Sequence, residues 1–288
     1  MPETDPATRT VPTRRISFDE FDQIPRYFAQ SENVILCHLT AMMSSMFPDG
    51  EDYFVRSVRH YRSQITDPDL KRQVTGFIGQ ESVHGREHRA FNMRLAELGY
   101  PTHRMEWLTK RSLTLRERVV PPIANLALTA ALEHFTATLA ELVLSDEASR
   151  AEFGHPAVRD LFLWHALEES EHKAVAFDVY RAVGGSERTR IWTMQFLRFG
   201  FVAWTSVAVT LSLLGDRATY RRGNLRRCWA EFKRSPLVQR DVWLTLRDYC
   251  RPDFHPDDHD NRELLEQWRE ALFGDEGTLV GKLATPAA

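Results

Sequence analysis

Apolar residues return every three or four positions through most of the chain and hardly anywhere every second one, so the pattern predicts helices and no sheet. Ser17 followed by Glu20 has capping-box spacing, and Ser31 precedes the apolar run NVILCHLTAMMSSM, which predicts two early helices before an FPDG turn at 47–50. In EDYFVRSVRHYRSQI, Phe54, Val58, Tyr61 and Ile65 recur at helical intervals, which places Glu51 in a first turn. Asp67-Pro68 supplies an N-cap and a first-turn proline for a long helix that closes at Gly99. A helix is expected from Pro122 to Leu144, started by the proline pair 121–122, and another from Pro156 to Gly184-Gly185. The stretch IWTMQFLRFGFVAWTSVAVTLSLLG at 191–215 is apolar nearly all round, and two closing helices are expected over 236–250 and 257–272. The fold class is therefore all-α, with one domain over residues 16–273. Within it lie a bundle core at about 51–183, an apolar helix at about 187–215 and closing helices in 216–273. The polar ends, a disordered N-terminus at 1–15 and a flexible tail at 274–288, flank it.

Composition narrows the function classes. Lys+Arg 37 against Asp+Glu 40 gives a net charge of -3, which provides no broad positive field for nucleic acid. Three cysteines without a CxxC suggest neither a disulfide framework nor a cysteine zinc site, and the polar N-terminus lacks an export pattern, so a cytoplasmic location is expected. Residues 199–215 carry no charge, yet 17 residues fall short of the roughly 20 that span a bilayer. Arg217, Arg221, Arg222, Arg226 and Arg227 follow directly. This segment is expected to cover the bundle or to dock it peripherally on the inner membrane rather than cross.

The chemistry concentrates in two short runs. In QESVHGREH, Glu81, His84 and His88 fall within one sector of about 60° on a helix; in WHALEESEH, His165, Glu169 and His172 do the same. Carboxylates and neutral imidazoles on an inward stripe are costly unless a cation compensates them. Two Glu-x-x-His motifs, Glu81/His84 and Glu169/His172, match the ligand pattern of ferritin-like di-metal carboxylate bundles, which also needs one glutamate from each of two partner helices. Glu51 and Glu133 are the candidates. Glu51 lies about as far before the turn near 66–67 as Glu81 lies after it, roughly 22 Å of helix. Glu133 and Glu169 match in depth across the second hairpin. Two divalent ions about 3.5–4 Å apart are expected, iron or alternatively manganese or a mixed pair. His88, one turn beyond His84, reads as a hydrogen-bond partner of the ligands, with ligation as the alternative. Glu168 reads as such a partner too, or as an ion pair with a basic residue at the helix edge. Gly76 and Gly79 read as close helix packing, His134 as packed or exposed, and His255 and His259 as surface.

The blocks FPDGEDYFVRSVRHY, FIGQESVHGREHRAFN, ALEHFTA, WHALEESEHKAVAFDVY and CRPDFHP resemble the signature blocks of the bacterial predicted metal-dependent hydrolase family over about residues 30–270. The spacing His-x3-Glu-x2-His at 165–172 is similar to that of the di-iron p-aminobenzoate N-oxygenases, and that resemblance implies His165 as a seventh ligand. The reading that follows is a non-haem di-iron oxidase or oxygenase acting with O2 on a small hydrophobic substrate. A dinuclear hydrolase of an ester or phosphoester, and a non-catalytic metal-binding membrane-associated protein, stand as alternatives. A membrane surface and a second copy of the chain are the macromolecular partners to consider.

Overall fold

A computed structural model describes residues 9–284. Among them there is no strand, only an isolated bridge between Ile16 and Leu283, and the architecture is all-helical. The helices are α1 (Val34–Tyr61), α2 (Pro68–Glu97), α3 (Thr102–Val119), α4 (Pro122–Ser145), α5 (Glu147–Ala151), α6 (Pro156–His172), α7 (Val175–Ala182), α8 (Glu187–Leu214), α9 (Asn224–Phe232), α10 (Arg240–Asp248) and α11 (Arg262–Phe273). Around the interior, α1 packs on α2, α2 on α6, α6 on α4 and α4 on α1, which closes a ring of four helices.

The FPDG turn does not form. Helix α1 starts at the Asn33 cap, whose side chain accepts from the amides of Ile35 and Leu36, and runs unbroken through Pro48 and Gly50. A proline inside a helix strands the carbonyl four residues earlier, here that of Ser44. Asn92 of α2 donates its side-chain amide to that carbonyl at 3.1 Å, so the missing bond is replaced from outside the helix. Glu51 therefore sits in the body of α1 and not in a first turn, and the ring of helices begins at 34 rather than 51. The first expected helix is only a 3-10 turn at Glu20–Gln23, capped by neither Ser17 nor any other side chain.

The structure departs from the hydrophobic pattern elsewhere as well. Helix α3, absent from the hydrophobic pattern, buries only Thr102 and Met105. The helix expected from 156 to 184 breaks after His172, where the Lys173 ammonium is held by the His259 carbonyl and by Asn261 at 3.0 Å. Residues 9–15 are packed rather than loose, with Val11 and Thr13 lying against Gly76 and Gly79. A Cβ at either glycine would run into this segment, so their small size serves it and not a helix contact. Leu279 in the tail is fully buried. Residues 1–8 and 285–288, to which the expectation of loose ends also applied, lie outside the described residues.

Two apolar clusters enclose the interior polar layer. One is built around Phe91, Trp164 and Leu161, the other around Tyr53, Phe77 and Tyr180. They meet the layer directly, Trp164 edge-on to His84 with centroids 4.9 Å apart and Phe77 edge-on to His172 at 5.0 Å.

Replacing Asn92 by Ala leaves the Ser44 carbonyl buried and unpaired beside Pro48, and should cost about 1–3 kcal/mol of unfolding free energy in a urea titration. An unchanged midpoint would mean that Asn92 does not carry α1 through the proline.

Candidate metal centre

Each of the four ring helices brings one carboxylate to the same level: Glu51 from α1, Glu81 from α2, Glu133 from α4 and Glu169 from α6. Helix α2 adds His84 one turn after Glu81, and α6 adds His165 and His172 on either side of Glu169. All seven side chains are buried, none more than 4% exposed. They fall into three overlapping groups, Glu51/His84/His165, Glu81/Glu133/His172 and Glu81/His84/Glu169, with the ligand atoms of each group within 4.8 Å of one another. The two outer groups share no residue, and the third joins them. His172 Nε2 stands 3.1 Å from Glu81 and 3.3 Å from Glu133, while His165 Nε2 stands 2.9 Å from Glu169 and 3.7 Å from Glu51.

Whether these residues suit a cation can be tested on their unused atoms. Among the described residues no hydrogen bond reaches either carboxylate oxygen of Glu51, Glu81 or Glu133, or His84 Nδ1 or His172 Nε2. Buried polar atoms are almost always paired, and so many unpaired donors of lone pairs converging on one volume fit a metal site.

The far side of each imidazole is fixed by a specific acceptor. His84 donates through Nε2 to Glu168 at 3.0 Å, and Glu168 is held by Arg14 at 2.9 Å. His172 Nδ1 meets the Gln80 oxygen at 2.9 Å, and Gln80 in turn donates to Glu171 at 2.8 Å. For His165 the chain of protons runs in one direction. Asn92 spends its NH2 on Ser44 and Glu106, so its oxygen accepts from the Ser44 hydroxyl at 2.7 Å. That hydroxyl then accepts from His88 Nδ1 at 2.8 Å, leaving His88 Nε2 to accept from His165 Nδ1 at 2.6 Å. These partners fix the protonated nitrogen on the far side of each ring, so the nitrogen facing the carboxylates is the one left to bind a metal, and His172 would give up there the extra proton that Glu133 and Glu169 hold when no metal is bound.

The structure thus brings all seven expected ligands together and places His88 and Glu168 behind them as partners. Residues the sequence pattern did not single out complete the arrangement: Arg14, Ser44, Gln80, Asn92, Glu171, and Thr136, whose hydroxyl donates to Glu169. Gln80 and Glu171 each stand next to a ligand in the chain, the one signal that could have found them. Arg14 is more than 60 residues from any ligand except Glu51 and carried none. His134 is packed elsewhere, against the Thr245 carbonyl and Tyr249, while His255 is half-buried against Asp178.

A family model described as "Predicted metal-dependent hydrolase" matches residues 12–260. The chain belongs to the predicted metal-dependent hydrolase family. The match takes in every ligand candidate and Arg14 as well. No curated protein and no solved structure matches the chain.

Electrostatics in this family member follow from the same crowding. Burial, and then neighbouring carboxylates, hold Glu51 well above the ordinary carboxylate range. Glu133 and Glu81 are raised by burial too, against the pull of His172. Glu169 lies well below that range because His172 and His165 outweigh its burial, and His172 is raised against its burial by Glu133 and Glu169. Burial, then His165, pushes His84 and His88 well below the imidazole range. Glu168 is pushed up to about 8 by burial, opposed by Arg14.

The sign of the pH dependence after chelation follows. Glu51, Glu81, Glu133 and His172 hold more protons folded than unfolded, so unfolding free energy falls as pH rises through their folded values. His84 and His88 act the other way, but only below their ordinary value of 6.5. The chelated protein should therefore lose melting temperature as pH rises above the ordinary imidazole value of 6.5, and added Mn(II) should abolish that decline because the ligands are then already deprotonated. A melting temperature that climbs with pH throughout this range in chelator would contradict the site.

Proposed function

We propose that the chain is a dinuclear metal-dependent hydrolase whose ions are held by Glu51, Glu81, His84, Glu133, His165, Glu169 and His172, and whose substrate is a carboxylic or phosphoric ester carrying a long apolar group. The observation that supports the substrate class is a cavity of about 930 Å³ whose inner end is His165 and Glu169. Phe47, Phe135, Phe162 and Phe201 wall it, and apart from that inner end its charged residues are Glu152 and Arg226 alone. From Phe47 to Ile35, both on the wall, α1 covers roughly 18 Å at 1.5 Å per residue, room for an extended chain. The hydrolytic chemistry is supported by the family to which the chain belongs.

Two divalent ions held here would supply Lewis-acid activation of a water and of the ester oxygen. The oxygen-rich donor set with imidazole suits iron or manganese. The chain's own part is positional. Glu168, Gln80 and His88 fix the three imidazoles, Thr136 fixes one oxygen of Glu169, and the phenylalanine walls keep bulk water from the reacting end.

A second reading, a di-iron oxidase or oxygenase using O2, is favoured by one observation: a third imidazole, His165, at the point where a carboxylate-rich centre opens into an apolar cavity.

Purified protein loaded anaerobically with Fe(II) or with Mn(II) should hydrolyse p-nitrophenyl esters, faster for long acyl groups than for acetate, and chelation should stop it. Glu133→Ala should remove most of the activity and lower bound metal, since no neighbour can replace that buried charge. Oxygen uptake by the Fe(II) form with no hydrolysis under nitrogen would move the assignment to the second reading. Full metal content and activity in Glu133→Ala would remove Glu133 from the ligand set.

A further inference from the structure

Helix α8 is pinned along one side and bare on the other. At its N-terminal end the buried Arg190 bonds the carbonyls of Tyr249 and Arg251. At its C-terminal end His38 of α1 bonds Ser212 at 2.6 Å and Asp216 at 3.1 Å. Between these anchors the opposite face carries Trp192, Phe196, Phe199, Ala203, Val207, Leu211 and Leu214 at three- and four-residue steps, all exposed. Phe196 is 71% exposed and Trp192 is 62%. This stripe is about 33 Å long at 1.5 Å per residue, far beyond the scattered apolar residues of an ordinary surface. The next turn and α9 add exposed Tyr220, Leu225 and Trp229. Among the described residues no carboxylate pairs with Arg217, Arg221, Arg222 or Arg226, all of them exposed. The cavity that ends on His165 and Glu169 is also lined by Leu214, Leu225, Arg226 and Trp229, so it opens on this face.

We propose that the α8–α9 face docks the protein on an anionic lipid bilayer, with α8 lying in the plane of the interface and the cavity opening toward the lipid. The combination of a long apolar stripe, tryptophans and tyrosine at its rim, and unpaired arginines beside it complements a surface that is apolar in depth and negative at the headgroups. A second copy of the chain is a poorer occupant, because the face it would bring carries the same arginines and an apolar stripe with no carboxylate, and so offers no negative surface to match them. A span is a poorer fit as well, since both ends of α8 and its inner face are bonded to α1 and the α10–α11 connection. Continuity of the cavity with this face lets a lipid-dissolved ester reach the metal centre without crossing water. That last step rests on the hydrolase reading, whereas the docking does not.

Sedimentation of the full-length protein with vesicles tests the docking without reference to activity. Vesicles of phosphatidylcholine with phosphatidylglycerol should carry the protein down, vesicles of phosphatidylcholine alone should do so at least tenfold more weakly, and high salt should release it. The exposed quadruple variant R217S/R221S/R222S/R226S and the stripe variant W192S/F196S should each lower binding more than tenfold while keeping the wild-type circular dichroism and melting temperature. Equal sedimentation with both vesicle types, retention that only detergent reverses, or self-association through this face with no vesicle binding would each overturn the proposal.

Discussion

Four carboxylates and three imidazoles are buried at one level of this protein with no lysine or arginine among them, and the rest of the structure is arranged around that charge. An ionised carboxylate taken from water costs far more than any apolar packing nearby returns, unless a cation or hydrogen bonds compensate it. The glutamates Glu51, Glu81 and Glu133 receive no hydrogen bonds from the described residues, so the compensation must come from protons or from metal. Protons give a crowded cluster in which some carboxylates stay neutral and His172 carries a charge. Metal ions bound there would satisfy all of the lone pairs together, and that difference would couple binding to folding.

Seen from that constraint, the residues behind the ligands have a clear division of labour. Arg14, Glu168, Glu171 and Gln80 form a charged and hydrogen-bonded ring on one side, and Arg14 comes from an extended segment that crosses α2 over Gly76 and Gly79. The N-terminal segment is thus part of the centre's support. On the other side, the line from His165 through His88 and Ser44 ends at Asn92, the same residue that repairs α1 at Pro48. One asparagine both keeps the helix that carries Glu51 continuous and sets the tautomer of His165.

Much of this was legible in the chain because it is local. The Glu-x-x-His spacings place two ligands on one helix face whatever the tertiary context, and counting helical rise back from the loops before α2 and between α4 and α6 was enough to choose Glu51 and Glu133. The count for Glu51 survived the mistaken FPDG turn since it ran from the other end of the helix. What escaped was decided at a distance. A helix passes through Pro48 only because a side chain from α2 meets the stranded carbonyl, and the break after His172 stands where Lys173 reaches the distant loop near His259. Helix α3 hides because it buries two residues, too few to make a hydrophobic stripe. Arg14 sits in a polar segment that looks loose until its carboxylate partners are in place.

The central claim is that these seven residues form a two-ion centre, and anomalous diffraction from crystals of the Mn(II)- or Fe(II)-loaded protein tests it most directly. Two anomalous peaks roughly 3.5–4 Å apart among Glu51, Glu81, His84, Glu133, His165, Glu169 and His172 are the predicted result. A single peak bound by three or fewer of these residues, or none at this level with metal in excess, would contradict it.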